Sequence, residues 1–230
     1  MIMNRVNSVM MSLRRNLTRV SILCAVIAVG LALWVPRPAE AAKEAKLSAN
    51  EKAAIQKITT YFNNFRYLNG EFVQRGPSGH VSQGVFYMSK PGRLRFEYAP
   101  PNPFLVVADG THVIIRDRRM KRADHYPLSA TPLKLVLSEN IDLLEEAKII
   151  HFYQDPSVMS LTLEDKDQWV PGQLTLVFDN KDFALQQWVI IDGQGNRTTV
   201  YLTKLQIDIK PDPELFKVVL PREIETGVNK

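Results

Sequence analysis

Between residues 48 and 66 the apolar positions recur at a helical period. Ile55, Ile58, Phe62 and Phe65 fall three, four and three residues apart, with Lys52, Lys57, Asn63 and Asn64 off that face. Ser48 and Glu51 stand ahead of them at capping-box spacing, so the pattern predicts a helix over 49–66. From Leu68 the period becomes two. Alternating stretches separated by turn residues predict strands near 68–75, 80–90, 93–99, 104–108, 111–117 and 122–128. Gly-Pro-Ser-Gly, Pro91-Gly92 and Asp109-Gly110 mark three of the turns. The alternation then breaks. Thr131-Pro132 has the form of an N-cap followed by proline at N1, opening a short helix over "PLKLVL", and "NIDLLEEA" can add another. Strands resume near 147–154, 158–165, 172–179, 184–192 and 197–209, and "PDPELF" reads as one closing helical turn.

About eleven strands, one long N-terminal helix and short helices inserted mid-chain define an α+β domain. The expected architecture is a single antiparallel sheet with helices on one side. A sheet of that width curls toward a barrel. Its inward candidates are Phe72, Phe86, Met88, Leu94, Phe96, Tyr98, Ile114, Phe152, Leu161, Leu163, Leu176, Phe178, Trp188 and Ile190. Large side chains on a wide sheet leave two outcomes open: the helices plug the interior, or a ligand shares it.

The start of the chain sets the compartment. Arg14, Arg15 and Arg19 precede an uncharged run from Val20 to Trp34, and Ala39-Glu40-Ala41 has the small-x-small form of a cleavage site. Residues 1–41 are expected to be a cleaved export signal, because the run is shorter and more proline-flanked than a membrane anchor requires. The expected domain is then 42–230. The leader carries five arginines against Glu40, so four of the five net positive charges leave with it. The remainder is close to neutral and gives no electrostatic case for a nucleic-acid partner. The single cysteine, Cys24, also lies in the leader, so no disulfide or thiolate-bound metal is expected in the domain.

Catalytic constellations are not visible. His80, His112, His125 and His151 fall on separate strands or turns at no metal-ligand spacing, and the glycines sit at turns rather than in a phosphate-binding loop. The expectation is no metal, no cofactor and no enzyme activity. A hydrolase with a site dispersed beyond motif range is the alternative from another class. The acidic stretches 164–168 and 179–182 read as hairpin tips, and Glu145-Glu146 as a solvated helix end. The densest basic run, "RDRRMKR" (116–122), reads as an exposed tip, or as a contact for headgroups or an acidic protein patch. Alternation in "RLRFEY" places Arg93 and Arg95 on a wet outer face and Leu94, Phe96 and Tyr98 inside.

The order "GEFVQ…SQGVFYMSKPGRLRFEY…LVVADG", followed by "TPLKLVL", resembles the LolA family of periplasmic outer-membrane lipoprotein carriers. The match is densest from Phe72 to Gly110. The resemblance implies an unclosed barrel lidded by helices over a hydrophobic cavity, in a monomer in the Gram-negative periplasm. It implies triacylated lipoproteins as cargo, bound by their acyl chains. An inner-membrane ABC releasing complex would be the donor, and an outer-membrane receptor or the outer membrane itself the acceptor. The implied lid contacts are Leu133, Leu135, Val136, Leu137, Ile141 and Leu144, each with ordinary core packing as its alternative. The family's lid latch is an arginine where this chain has Lys90, and its cargo-accepting aromatic falls at Leu94. Lysine keeps the charge and loses the planar donor fork, which implies a weaker or differently bonded latch. Two other roles fit the same fold: a periplasmic sensor of lipids or lipoproteins acting on a regulatory partner, and a general envelope lipid binder.

Overall fold

The computed structural model describes residues 43–166 and 172–218. The expected leader, with Cys24, and part of the 164–168 turn lie outside them. Helix α1 (Ala49–Asn63) is followed by strands β1 (Tyr67–Arg75), β2 (Val81–Ser89), β3 (Arg93–Tyr98), β4 (Phe104–Asp109), β5 (His112–Asp117) and β6 (Arg122–Pro127). A 3-10 turn (Leu128–Ala130) and two short helices, α2 (Leu133–Leu137) and α3 (Leu143–Glu146), separate these from β7 (Ala147–Gln154). Then come β8 (Val158–Asp165), β9 (Gly172–Asp179), β10 (Leu185–Asp192), β11 (Arg197–Ile207) and a 3-10 turn at Pro213–Phe216.

The capping box forms as expected: the Ser48 amide donates to Glu51 Oε2 at 2.7 Å and the Glu51 amide to Ser48 Oγ at 3.3 Å. Helix α1 stops three residues early, however. The amides of Arg66 and Tyr67 turn to the Asp208 carboxylate, at 3.0 and 3.5 Å, instead of extending the helix. A long-range acceptor thus ends the helix where local periodicity would continue it. Thr131 differs too. It is extended and fully buried, and its hydroxyl donates back to the Leu128 carbonyl at 2.9 Å; Pro132 takes the cap position.

All eleven strands form one antiparallel sheet in the order β6-β5-β4-β3-β2-β1-β11-β10-β9-β8-β7. Chain-distant β1 and β11 pair at its centre, and β6 and β7 are its unpaired edges. The barrel is therefore unclosed. The connection from β6 to β7, carrying α2 and α3, runs between those edges. Gly84 shows how tightly the strands approach one another. A Cβ there would meet the Glu97 carbonyl oxygen at 2.0 Å and the Phe72 ring at 2.8 Å, so only glycine fits.

Two clusters bury most of the apolar residues. The large one joins the inner face of the sheet to α1, α2 and α3. The small one lies on the outer face, where Phe216 covers Leu105 and Val107 of β4, with Tyr87, Leu215 and Val218 around it. This changes the picture of the outer surface. Arg93 is exposed, but the Arg95 side chain is only 12% exposed, paired to Glu97 at 2.7 Å and donating to the Leu215 carbonyl at 2.9 Å. The face expected to be wet is covered there by the C-terminal segment.

Candidate functional site: the lidded inner face

Strands from both halves of the sheet supply the inner face. Phe72, Phe86, Met88, Leu94, Phe96 and Tyr98 come from β1–β3, and Leu161, Leu163, Leu176, Phe178 and Trp188 from β8–β10. All are buried, none more than 7% exposed. The aromatic rings form one connected group. Phe72 meets Phe96 and Tyr98 edge-on at 4.7 and 5.1 Å, Phe86 stacks on Phe96 at 5.7 Å, and Trp188 reaches Phe96 at 5.8 Å. Phe152 is half-buried against the same cluster. A bulge between Ile149 and His151 shifts the phase of β7 and turns Phe152 toward Leu161.

Ile114 is a correction. It pairs with Val107, which belongs to the outer cluster, while its neighbours Val113 and Ile115 belong to the inner one. Directly paired residues share a face, so Ile114 lies outside. Three consecutive apolar residues hide which parity points inward. Its partner Val107 is covered on the outer face, and Ile114 is itself 6% exposed, so burial alone does not tell the two faces apart.

Helix α1 lays Ile55, Ile58 and Phe62, none of them solvent-exposed, against the inner face. Leu133, Leu135, Val136, Leu137 and Ile141 are buried in the same cluster, and Leu144 packs on it half-buried. Side chains of the three helices thus pack on the inner face of the sheet. A crevice of about 350 Å³ opens at the edge of the lid, lined by Asn63, Phe65, Lys90, Glu139 and Asp208 among others. A groove of about 530 Å³ lies at the opposite strand ends, between Val81, the prolines of 100–103 and Arg119.

Few polar ties hold the lid. Lys90 Nζ donates to the Phe62 carbonyl at the end of α1, at 2.6 Å, and sits 5.4 Å from the Phe65 ring centroid. Burial pushes the Lys90 amine below the ordinary lysine value, and the Glu139 carboxylate partly restores it. Two residues on, the Gly92 amide donates to the Leu137 carbonyl at the end of α2, at 2.8 Å. The Asn63 side chain makes a reciprocal pair with the Ile141 backbone, both bonds 2.9 Å. Lys134 of α2 forms an ion pair with Asp165 of β8, and Lys166 donates to the carbonyls of Leu144 and Glu145. Sequence reasoning missed Asn63, which reads there only as a polar residue off the apolar stripe. No sequence signal marks it, because it becomes the last helical residue only once α1 stops short of the expected end.

The remaining polar candidates do not converge. The four histidines are exposed on separate segments. Glu145 and Glu146 are exposed, and Glu146 accepts from the Asp142 amide at 3.1 Å. Among the described residues no three His, Cys, Asp or Glu side chains group as metal ligands. In the basic run, Asp117 accepts from the Arg119 and Met120 amides, Arg118 pairs with Glu97 at 2.6 Å and Arg122 with Asp124 at 2.7 Å. Met120 stands 68% exposed at the tip.

Fold and site together define a class: an unclosed antiparallel barrel whose apolar inner face is roofed by short helices. The chain belongs to the LolA family, whose family model, "Outer membrane lipoprotein carrier protein LolA", matches residues 63–219. It is 25% identical to an outer-membrane lipoprotein carrier protein of Shewanella halifaxensis over 209 residues, covering 87% of this chain and 93% of that one. A protein of the same description from Alkalilimnicola ehrlichii is 27% identical over 187 residues, covering 75% and 83%. Among solved structures, a LolA superfamily protein from Nitrosomonas europaea aligns with a TM-score of 0.40 at 9% identity, over 71% of this chain and 97% of that one.

Proposed function

We propose that this chain is a periplasmic carrier that takes lipoproteins by their acyl chains and ferries them from the inner to the outer membrane. The observation that carries this reading is the apolar inner face under a lid held by few polar ties. The face offers Phe72, Phe86, Met88, Leu94, Phe96, Tyr98, Phe152, Leu161, Leu163, Leu176, Phe178 and Trp188 to the chains. Ile114 is not among them. Leu133, Leu135, Val136, Leu137, Ile141 and Leu144 are the lid contacts that chains would displace, and Lys90 is the latch.

Energetics favour such a design. Each buried acyl methylene is worth about 0.8 kcal/mol, so free acyl chains do not cross water unshielded. A carrier must also release. Here the lid packs on the inner face when closed, so cargo competes with the protein's own side chains. The closure free energy is subtracted from the affinity. No catalytic step is needed. The donor would be an inner-membrane ABC releasing complex, and the acceptor an outer-membrane receptor or the membrane itself.

The test is release from spheroplasts making labelled lipoproteins. With the purified protein added, label should pass into the soluble fraction in a stoichiometric complex. A folded protein that leaves all label in the membrane, beside a competent control carrier, removes the carrier reading.

A further inference from the structure

The inner face is not uniformly apolar. One row across it reads Gln74 on β1, Val200 on β11, Trp188 on β10 and Leu176 on β9, each paired with the next. Thr198 lies two residues along β11 on the same face, paired with Ile190. The Tyr98 hydroxyl donates to Gln74 Oε1 at 2.7 Å, so this polar pair satisfies itself. Trp188 Nε1 and Thr198 Oγ1 do not: each belongs to a residue 1% exposed, and neither atom has a hydrogen-bond partner among the described residues. A buried polar group without a partner is rare in folded proteins and destabilising. Two of them, neighbours on one face, point to a group that the closed protein does not itself provide.

The chemistry of that group follows. An indole N–H only donates, so its partner is an acceptor. A carboxylate would need a cation, because an unpaired buried charge is costly. Arg75 and Arg197, the cations nearest this row along the strands, are both exposed. The acceptor is therefore neutral. Phe96 and Phe86 around the indole require apolar material on either side of it. Resting on the carrier reading above, we infer that Trp188 N–H and the Thr198 hydroxyl, beside the Gln74–Tyr98 pair, bind the ester carbonyl of an acyl chain. The interior then recognises acyl esters, not hydrocarbon alone, and this gives a lipid a fixed depth in the barrel.

The test compares ester-linked with ether-linked probes of matched chain length. One pair is a diacylglyceryl lipopeptide and its dialkyl analogue; the other is phosphatidylglycerol and its dialkyl analogue. The full protein should bind the esters about tenfold more tightly, the worth of one or two net hydrogen bonds. Trp188→Phe and Thr198→Val should each bring the ester-to-ether ratio down toward one, read within each variant so that general changes in packing cancel. A separate readout is the Trp188 indole N–H proton resonance, assigned by its loss in Trp188→Phe, which should move downfield with ester and not with ether. Preference for the lipopeptide pair only, or for both pairs, tells lipoprotein from phospholipid as the source of the ester. Equal binding of ester and ether overturns the inference and leaves the carrier reading intact. A preference that survives both substitutions overturns it as well. Binding of neither probe removes the carrier reading and this inference together.

Discussion

Lys90 Nζ lies 2.6 Å from the carbonyl oxygen of Phe62, so a single cation fastens the end of α1 to the turn between β2 and β3. It meets the carbonyl end of a helix, which leaves acceptors for its N–H groups. Lys90→Met keeps the apolar stem and removes the donor. Global stability should fall by about 1.5–3 kcal/mol, the range for hydrogen bonds to charged groups. Apparent affinity for an acyl probe should rise, about fivefold for each 1 kcal/mol of closure lost. Lys90→Arg restores the donor fork that the family resemblance implies at this position and should shift both quantities the other way. Chemical denaturation and probe titration on the three proteins check this. Stability and affinity moving in the same direction would remove the latch role.

The same lysine sets a pH dependence. Burial holds its folded-state pKa below the ordinary value of 10.5. Between the lowered value and 10.5, the unfolded or open form binds more protons than the closed one. Raising the pH through that window therefore favours the closed form, and lowering it restores the penalty of the buried charge. Acyl-probe affinity should weaken as pH rises through that window. In Lys90→Met this slope should be absent. A slope that persists in the variant would assign the effect to another group.

Asn63 fastens the lid independently of Lys90. Its side chain donates to and accepts from the Ile141 backbone, as a neighbouring strand would. Asn63→Leu keeps the size and breaks both bonds, leaving the buried Ile141 amide and carbonyl unpaired. Amide exchange should accelerate by about tenfold or more across 133–144, the local equivalent of about 1–3 kcal/mol. Protection in β1, β2 and β11 should not change. Hydrogen-exchange mass spectrometry separates the two regions. Equal acceleration in both would mean that the bond supports the whole fold and not the lid.

Much of this was legible in the sequence, because alternation reports burial wherever a strand has one covered face. Phe72, Phe96 and Trp188 were visible on that ground, as was the eleven-strand layout. What alternation cannot report is a contact made by a distant segment. Asp208 ends α1, and Phe216 covers the outer side of β4; both lie more than a hundred residues along the chain from what they alter. The end of the helix and the dryness of Arg95 were hidden for that reason. Lys90 was singled out only through the family resemblance, and its bond to Phe62 required the fold. Asn63 and Thr198 were silent because neither a lone asparagine nor a strand threonine has a spacing to betray it.

Ile114 and Ile115 give a direct test of which face faces the lid. They are adjacent, chemically identical and nearly equally buried, at 6% and 8% exposed. Only Ile115 pairs with an inner-cluster residue, Val106; Ile114 pairs with Val107 of the outer cluster. Alanine at either position should cost a similar amount of stability, about 2–4 kcal/mol for a buried isoleucine. Their effects on acyl binding should differ. Ile115→Ala removes apolar surface from the inner face and should weaken probe affinity by about fourfold, the worth of one buried methylene. Ile114→Ala should leave affinity unchanged at temperatures where both variants are folded. Loss of affinity in Ile114→Ala alone would place the acyl site on the outer face, under the C-terminal segment.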